Sequence, residues 1–162
     1  MNLCPCGYYG DPYKECRCSP GKITRYQRRM SAPFLDRVDI FVDVPPVDYD
    51  KLTERRNSEA SRIVRDRVIN ARARQYERFR DTLLLCNADM GPADIEYFCP
   101  LNEDSQKLLK VAMERLHLSA RSFHRIIKLS RTIADLGGSA DIAVAHVAEA
   151  IQYRSRTLIP EA

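Results

Sequence analysis

The feature that most constrains this chain is the run from Pro33 to Pro45, where Val38, Ile40, Val42 and Val44 alternate with Asp39, Phe41 and Asp43. A period of two is the pattern of a β-strand with one buried face, because successive strand side chains point to opposite sides. Proline at both ends agrees, since it cannot donate to a ladder. The spacing predicts a strand over 38–44, with Asp36 and Arg37 at its mouth. A single strand makes no sheet, so its neighbours are expected to lie outside this sequence. Before the run the chain is rich in cysteine, glycine and proline; after it, the patterns are helical.

Residues 1–21 hold four of the six cysteines as two Cys-x-Cys pairs, Cys4 with Cys6 and Cys16 with Cys18, nine residues apart. Gly7, Gly10, Pro12, Pro20 and Gly21 punctuate the segment, which leaves no room for a long helix or strand. Four thiolates from one short loop fit a tetrahedral structural zinc site, and they leave no open position for catalysis. Reduced thiols in an ordinary loop are the alternative. Cys86 and Cys99 stand alone and read as small buried apolar residues.

Lys22, Arg25, Arg28 and Arg29 share residues 22–32 with Ile23, Tyr26 and Met30, the spacing of a short basic amphipathic helix. Beyond an extended linker from Pro45 to Asn57, a long helix is expected from Ser58, which would cap it. Ala60, Ile63, Val64, Val68, Ala71 and Phe79 would form its buried stripe, with Arg62, Arg65, Arg72, Arg74 and Arg78 outside it. Gly91-Pro92 breaks the pattern. A second helix begins at Asn102 with Glu103 and Asp104 in its first turn, where the helix dipole favours acids. Ser119 caps a third, with Phe123, Ile126, Ile127, Ile133 and Ala134 inward, and Gly137-Gly138 closes it. A fourth runs from about Ala140 to Tyr153. The second half is therefore a small helical bundle.

At 162 residues, 44% of them hydrophobic and 30% charged, the chain fits one ordinary folded domain or two small ones rather than a disordered segment. No apolar run reaches membrane-spanning length, and the N-terminus has no basic-then-apolar signal pattern. Without an export signal, reduced thiols and a cytoplasmic location are the expectation. The net charge of +4 permits contact with nucleic acid without demanding it.

No phosphate loop, dinucleotide fingerprint, nucleophile–histidine arrangement or zinc-protease helix occurs, and His117, His124 and His146 are scattered. Two arginines stand out. Arg121 falls in the first turn after Ser119, where a cation opposes the helix dipole and a phosphate would be welcome. Arg37 can pair with Asp36 or Asp39, or reach into a neighbouring subunit.

Several stretches together resemble one family. Asn2, Cys4-Pro5-Cys6-Gly7-Tyr8-Tyr9-Gly10-Asp11 and Cys16-Arg17-Cys18 resemble the cysteine segment of the magnesium chelatase-like AAA+ ATPases, the ComM/YifB group. Ser31 to Val44, Leu118 to Leu136 and His146 to Arg154 are similar to the same family, whose members usually carry proline where Leu3 stands.

The resemblance implies a mainly α chain in two parts. Residues 1–50 would be the C-terminal piece of an AAA+ core, with one or two strands and the cysteine-rich loop; residues 51–162 would be a helical lid. It further implies that Asn2 is the sensor-1 residue, Arg37 the arginine finger and Arg121 the sensor-2 arginine of a composite ATP site using Mg2+. The parent, by family analogy, would be a hexameric ring acting on DNA as a helicase-type branch-migration motor of natural transformation and recombination. This chain, lacking the Walker A and B elements, would by itself hydrolyse no ATP. Two other readings stay open: a stand-alone zinc-binding module for nucleic acid or protein, and a chelatase subunit acting on a tetrapyrrole.

Overall fold

The computed structural model describes residues 2–44, Val47 and 59–154, and contains seven α-helices among them. The chain divides into two compact units, Met1–Arg55 with Ser155–Ala162, and Arg56–Arg154.

In the first unit, the cysteine loop leads into α1 (Pro20–Gln27). Ser19 is extended at its cap and Pro20 takes the first helical position, where a missing N–H costs nothing. A single turn, α2 (Ala32–Leu35), follows, and the Arg37 and Val38 N–H groups donate back to its Phe34 and Leu35 carbonyls. The strand expected over 38–44 does not form. Those residues carry no strand or helix, and Ile40, Val42 and Val44 are exposed. The reason is that a strand exists only as part of a ladder, and no described segment pairs with this one. Arg37 therefore follows a helical turn rather than standing at a sheet edge.

The second unit is a helical bundle of α3 (Ser61–Arg78), α4 (Pro92–Phe98), α5 (Glu103–Arg115), α6 (Ala120–Leu136) and α7 (Val144–Gln152), with a 3-10 turn at Asn87–Asp89. Helix α6 is the hub, packing on α3, α4, α7 and the 3-10 turn, while α5 packs on α7. Phe79, Met90, Ile95, Leu109, Ile126, Ile127 and Val147 meet in the core. The caps sit where the sequence puts them: Asn102 Oδ1 accepts the Ser105 N–H at 2.9 Å and Ser119 Oγ accepts the Ser122 N–H at 3.2 Å. Helix α6 ends in a left-handed Gly138 (φ +73°), with the Ser139 N–H bonded to the Ala134 carbonyl.

Four expectations are corrected here. Burial in α3 begins only at Ala71; Ile63, Val64 and Val68 are exposed, because no described element of the unit covers that end of the helix. Helix α4, unread in the sequence, starts at Pro92, whose ring suits a first turn as well as a break. Helix α7 starts at Val144 rather than Ala140, since Arg131 takes the Ser139 and Ala140 carbonyls and Ile142 bridges to Leu101. Cys99 is buried as expected, but Cys86 is half-buried with its Sγ donating to Asp89. Ser58 lies outside the described residues, and Ala60 holds the α3 cap position.

Arg78, placed outside the stripe by its spacing, is instead the centre of a buried polar network. Its guanidinium grips the Asp135 carboxylate with both Nη atoms, and Asn87 Nδ2 (2.8 Å) and Arg131 Nε (3.2 Å) donate to the same carboxylate. Burial alone would raise the Asp135 pKa, but these donors outweigh it and hold the carboxyl below the usual range. The network ties α3 and the 3-10 turn to the last turn of α6.

Candidate metal centre and site arginines

The cysteine loop folds on two tight turns. The Gly7 N–H donates to the Cys4 carbonyl and the Asp11 N–H to the Tyr8 carbonyl, with Gly7 (φ +87°) and Gly10 (φ +82°) in the left-handed region that glycine adopts without strain. These turns bring all four sulfurs within 4.8 Å of one another. Cys4 Sγ lies 3.3 Å from Cys6 and 3.7 Å from Cys16, and Cys6 lies 3.6 Å from Cys16. A tetrahedron with Zn–S bonds of about 2.3 Å has edges of about 3.8 Å, so the donor set fits a four-thiolate zinc ion. Bound there, zinc would cross-link the two ends of the loop.

The four thiols are unequal. The Tyr8 N–H and the Cys4 thiol pull Cys6 down to about 6. At Cys16 the Cys18 N–H pulls downward, but desolvation and the Cys6 and Cys4 sulfurs outweigh it and push the thiol up to about 12. Cys18 is raised as well, its Cys6 N–H bond being outweighed by desolvation and the same two sulfurs. Without a cation, then, one negative charge discourages the next. Four thiolates coexist comfortably only around a metal.

Asn2 is exposed at the mouth of this loop. Its side-chain amide lies over Gly7, where a Cβ would stand 3.4 Å from Asn2 Nδ2. Gln27, buried on α1, donates to the Leu3 carbonyl at 3.1 Å and so fastens the helix to the backbone between Asn2 and Cys4. Nothing in the pattern of residues 22–32 marked Gln27, a polar residue on the inner face of a basic helix.

Arg37 is exposed, its Nη1 donating to the Pro33 carbonyl at 3.4 Å. Arg121 is exposed in the first turn of the seventeen-residue α6, which has no acidic residue there. Its charge opposes the helix dipole at a cost of about 0.3–1 kcal/mol. Asn2, Arg37 and the four loop cysteines belong to the first unit and Arg121 to the second. No histidine takes part: His146 Nδ1 accepts the Ala143 N–H at the start of α7.

Residues 58–154 match the family described as magnesium chelatase, subunit ChlI C-terminal, and residues 1–52 match magnesium chelatase, subunit ChlI. The chain belongs to the magnesium chelatase-like AAA+ family. Within that family it is 40% identical over 156 residues to competence protein ComM of Haemophilus influenzae, a match covering 96% of this chain and 30% of ComM. It is 35% identical to the protein YifB of Salmonella typhimurium, with the same coverage, and 35% identical over 158 residues to YifB of Escherichia coli. The chain thus spans about 30% of the length of these chelatase-like relatives. Among its described residues no helix is long and apolar enough to cross a membrane.

Proposed function

We propose that this chain is the C-terminal part of a ring-forming AAA+ motor that acts on DNA, a helicase-type enzyme of branch migration in recombination and natural transformation. The observation that carries the reading is the 40% identity to ComM along 96% of the chain, spanning both units. In this reading residues 1–50 complete the nucleotide-binding core, residues 51–162 form its lid, the ring is a hexamer, and the protein works in the cytoplasm with ATP and Mg2+.

The chemistry of the three site residues follows from charge. Phosphoryl transfer spreads negative charge over the γ-phosphate oxygens, and positioned cations lower its barrier. Arg37 would reach the γ-phosphate held by the neighbouring subunit, where a planar guanidinium gives a bidentate grip that lysine lacks. Arg121, as the sensor-2 arginine, would approach a γ-phosphate from the start of α6, with the helix N-terminus adding its positive end. That role gives a reason for a cation where the dipole disfavours one. Asn2, carrying both a donor and an acceptor, would orient the attacking water, and zinc on Cys4, Cys6, Cys16 and Cys18 would keep the Asn2 loop in shape.

The test is ATP turnover by the full-length protein. Arg37→Ala is expected to lower it by about 10³–10⁵, the range for arginine fingers, and Arg121→Ala to lower it as well. The 162-residue chain by itself is expected to turn over none. Unchanged turnover in both variants, or turnover by the chain alone, would overturn the reading. The four-cysteine cluster also favours a second reading, a stand-alone zinc module that binds nucleic acid or protein. That reading predicts zinc and nucleic-acid binding but no effect of either arginine on ATP.

A further inference from the structure

A short segment near the start of the chain is dense in cations. Residues 2–30 carry six cations, Lys14, Arg17, Lys22, Arg25, Arg28 and Arg29, against Asp11 and Glu15, an excess of four.

The same segment exposes aromatic rings. Tyr8, Tyr9 and Tyr13 lie outside any core, and Tyr13 is 67% exposed. The loop holds Tyr13 out by design of its backbone: the Asp11 carboxylate accepts the N–H groups of Tyr13 at 2.7 Å and Lys14 at 3.0 Å. Lys14 in turn places its ammonium 5.1 Å from the centre of the Tyr8 ring. Cations interleaved with exposed rings match a chain that alternates phosphates with planar bases, because the charges track the backbone while the rings stack on the bases. An acidic peptide would use the cations and leave the rings idle. A duplex would hide the faces of its bases.

We propose that the cysteine loop and α1 form a platform for single-stranded DNA, with Tyr9 and Tyr13 stacking on bases and Lys14, Arg17, Arg25 and Arg28 taking phosphates. The inference rests on the DNA part of the proposed function and deepens it, but its test uses no ATP. Failure of the platform is therefore distinguishable from failure of Arg37 and Arg121 as nucleotide ligands.

The test is fluorescence anisotropy of a labelled oligothymidylate with the zinc-loaded 162-residue chain, measured across a series of salt concentrations. Tyr13→Ala is expected to weaken binding about 5- to 150-fold, the range for losing one stacked base, with the salt dependence unchanged. Arg25→Gln is expected to shallow the log–log salt slope by about 0.7, one phosphate contact on a single strand. Tyr13→Phe, which keeps the ring, is expected to bind as the parent does and shows that the loop still folds. A blunt duplex is expected to bind more weakly and to ignore Tyr13→Ala. Parental affinity in both Tyr9→Ala and Tyr13→Ala, tyrosine-independent binding to heparin as tight as to the oligonucleotide, or a preference for oligouridylate RNA would each overturn the proposal.

Discussion

Asp135→Ala tests how the bundle holds the helix that carries Arg121. The Asp135 side chain is fully buried, and Arg78, Asn87 and Arg131 all donate to its carboxylate. Its removal leaves two guanidinium groups facing a void without an anion. Breaking a buried pair by deleting one partner costs about 3–5 kcal/mol. Two features place the loss at the low end. Arg131 retains the Ser139 and Ala140 carbonyls, at 2.8 Å each, and Arg78 is 17% exposed, so water reaches it. The expected loss is about 3 kcal/mol. In a unit of this size that lowers Tm by about 12–24 °C and removes a large share of a total on the order of 5–15 kcal/mol. Urea titration and thermal melting followed by far-UV circular dichroism measure it. The double variant Arg78→Met, Asp135→Leu, which removes both partners of the main pair, is expected to lose less than Asp135→Ala alone. A loss below about 1 kcal/mol in Asp135→Ala would refute the reasoning, since that is the scale of an ordinary surface contact.

The same carboxylate sets a dependence on pH. Its folded pKa lies below the unfolded value of about 3.9, so its contribution is complete above that value and is lost as pH falls through the folded pKa. The urea midpoint should therefore drop on acidification below about pH 4, and less steeply in Asp135→Asn. Gln27→Met keeps the length of the side chain but loses the N–H that braces Leu3 beside Cys4, and should weaken zinc binding about tenfold in competition with a chromophoric chelator; Thr24→Ala, on the exposed side of α1, should leave it unchanged. His117 sits at φ +47° where the Leu118 N–H closes the end of α5 on the Met113 carbonyl, so His117→Gly should raise the urea midpoint by about 0.5–1 kcal/mol equivalent.

Much of the molecule is legible from local chemistry. Asn102 and Ser119 mark helix starts because a short side-chain oxygen can reach an orphan N–H two or three residues on, and Gly138 marks an end because it alone takes a left-handed turn without a Cβ clash. The four cysteines are legible because two pairs of thiols on a glycine-punctuated loop have few other uses. The strand over 38–44 was not settled by its alternation, since the hydrogen bonds that make a strand come from a neighbour.

What the sequence by itself determined is the mainly helical class, the order of the α5 and α6 caps, the cysteine cluster and the family. Those rest on interactions within a few residues or on whole-chain resemblance. Only the tertiary structure decided which face of each element has a partner. It left Ile63, Val64 and Val68 uncovered, drew Arg78 inward to Asp135 fifty-seven residues away, seated Gln27 against Leu3 and held Tyr13 in solvent. Periodicity reports that a helix has an apolar side. What lies opposite that side is a long-range contact, and the local pattern does not contain it.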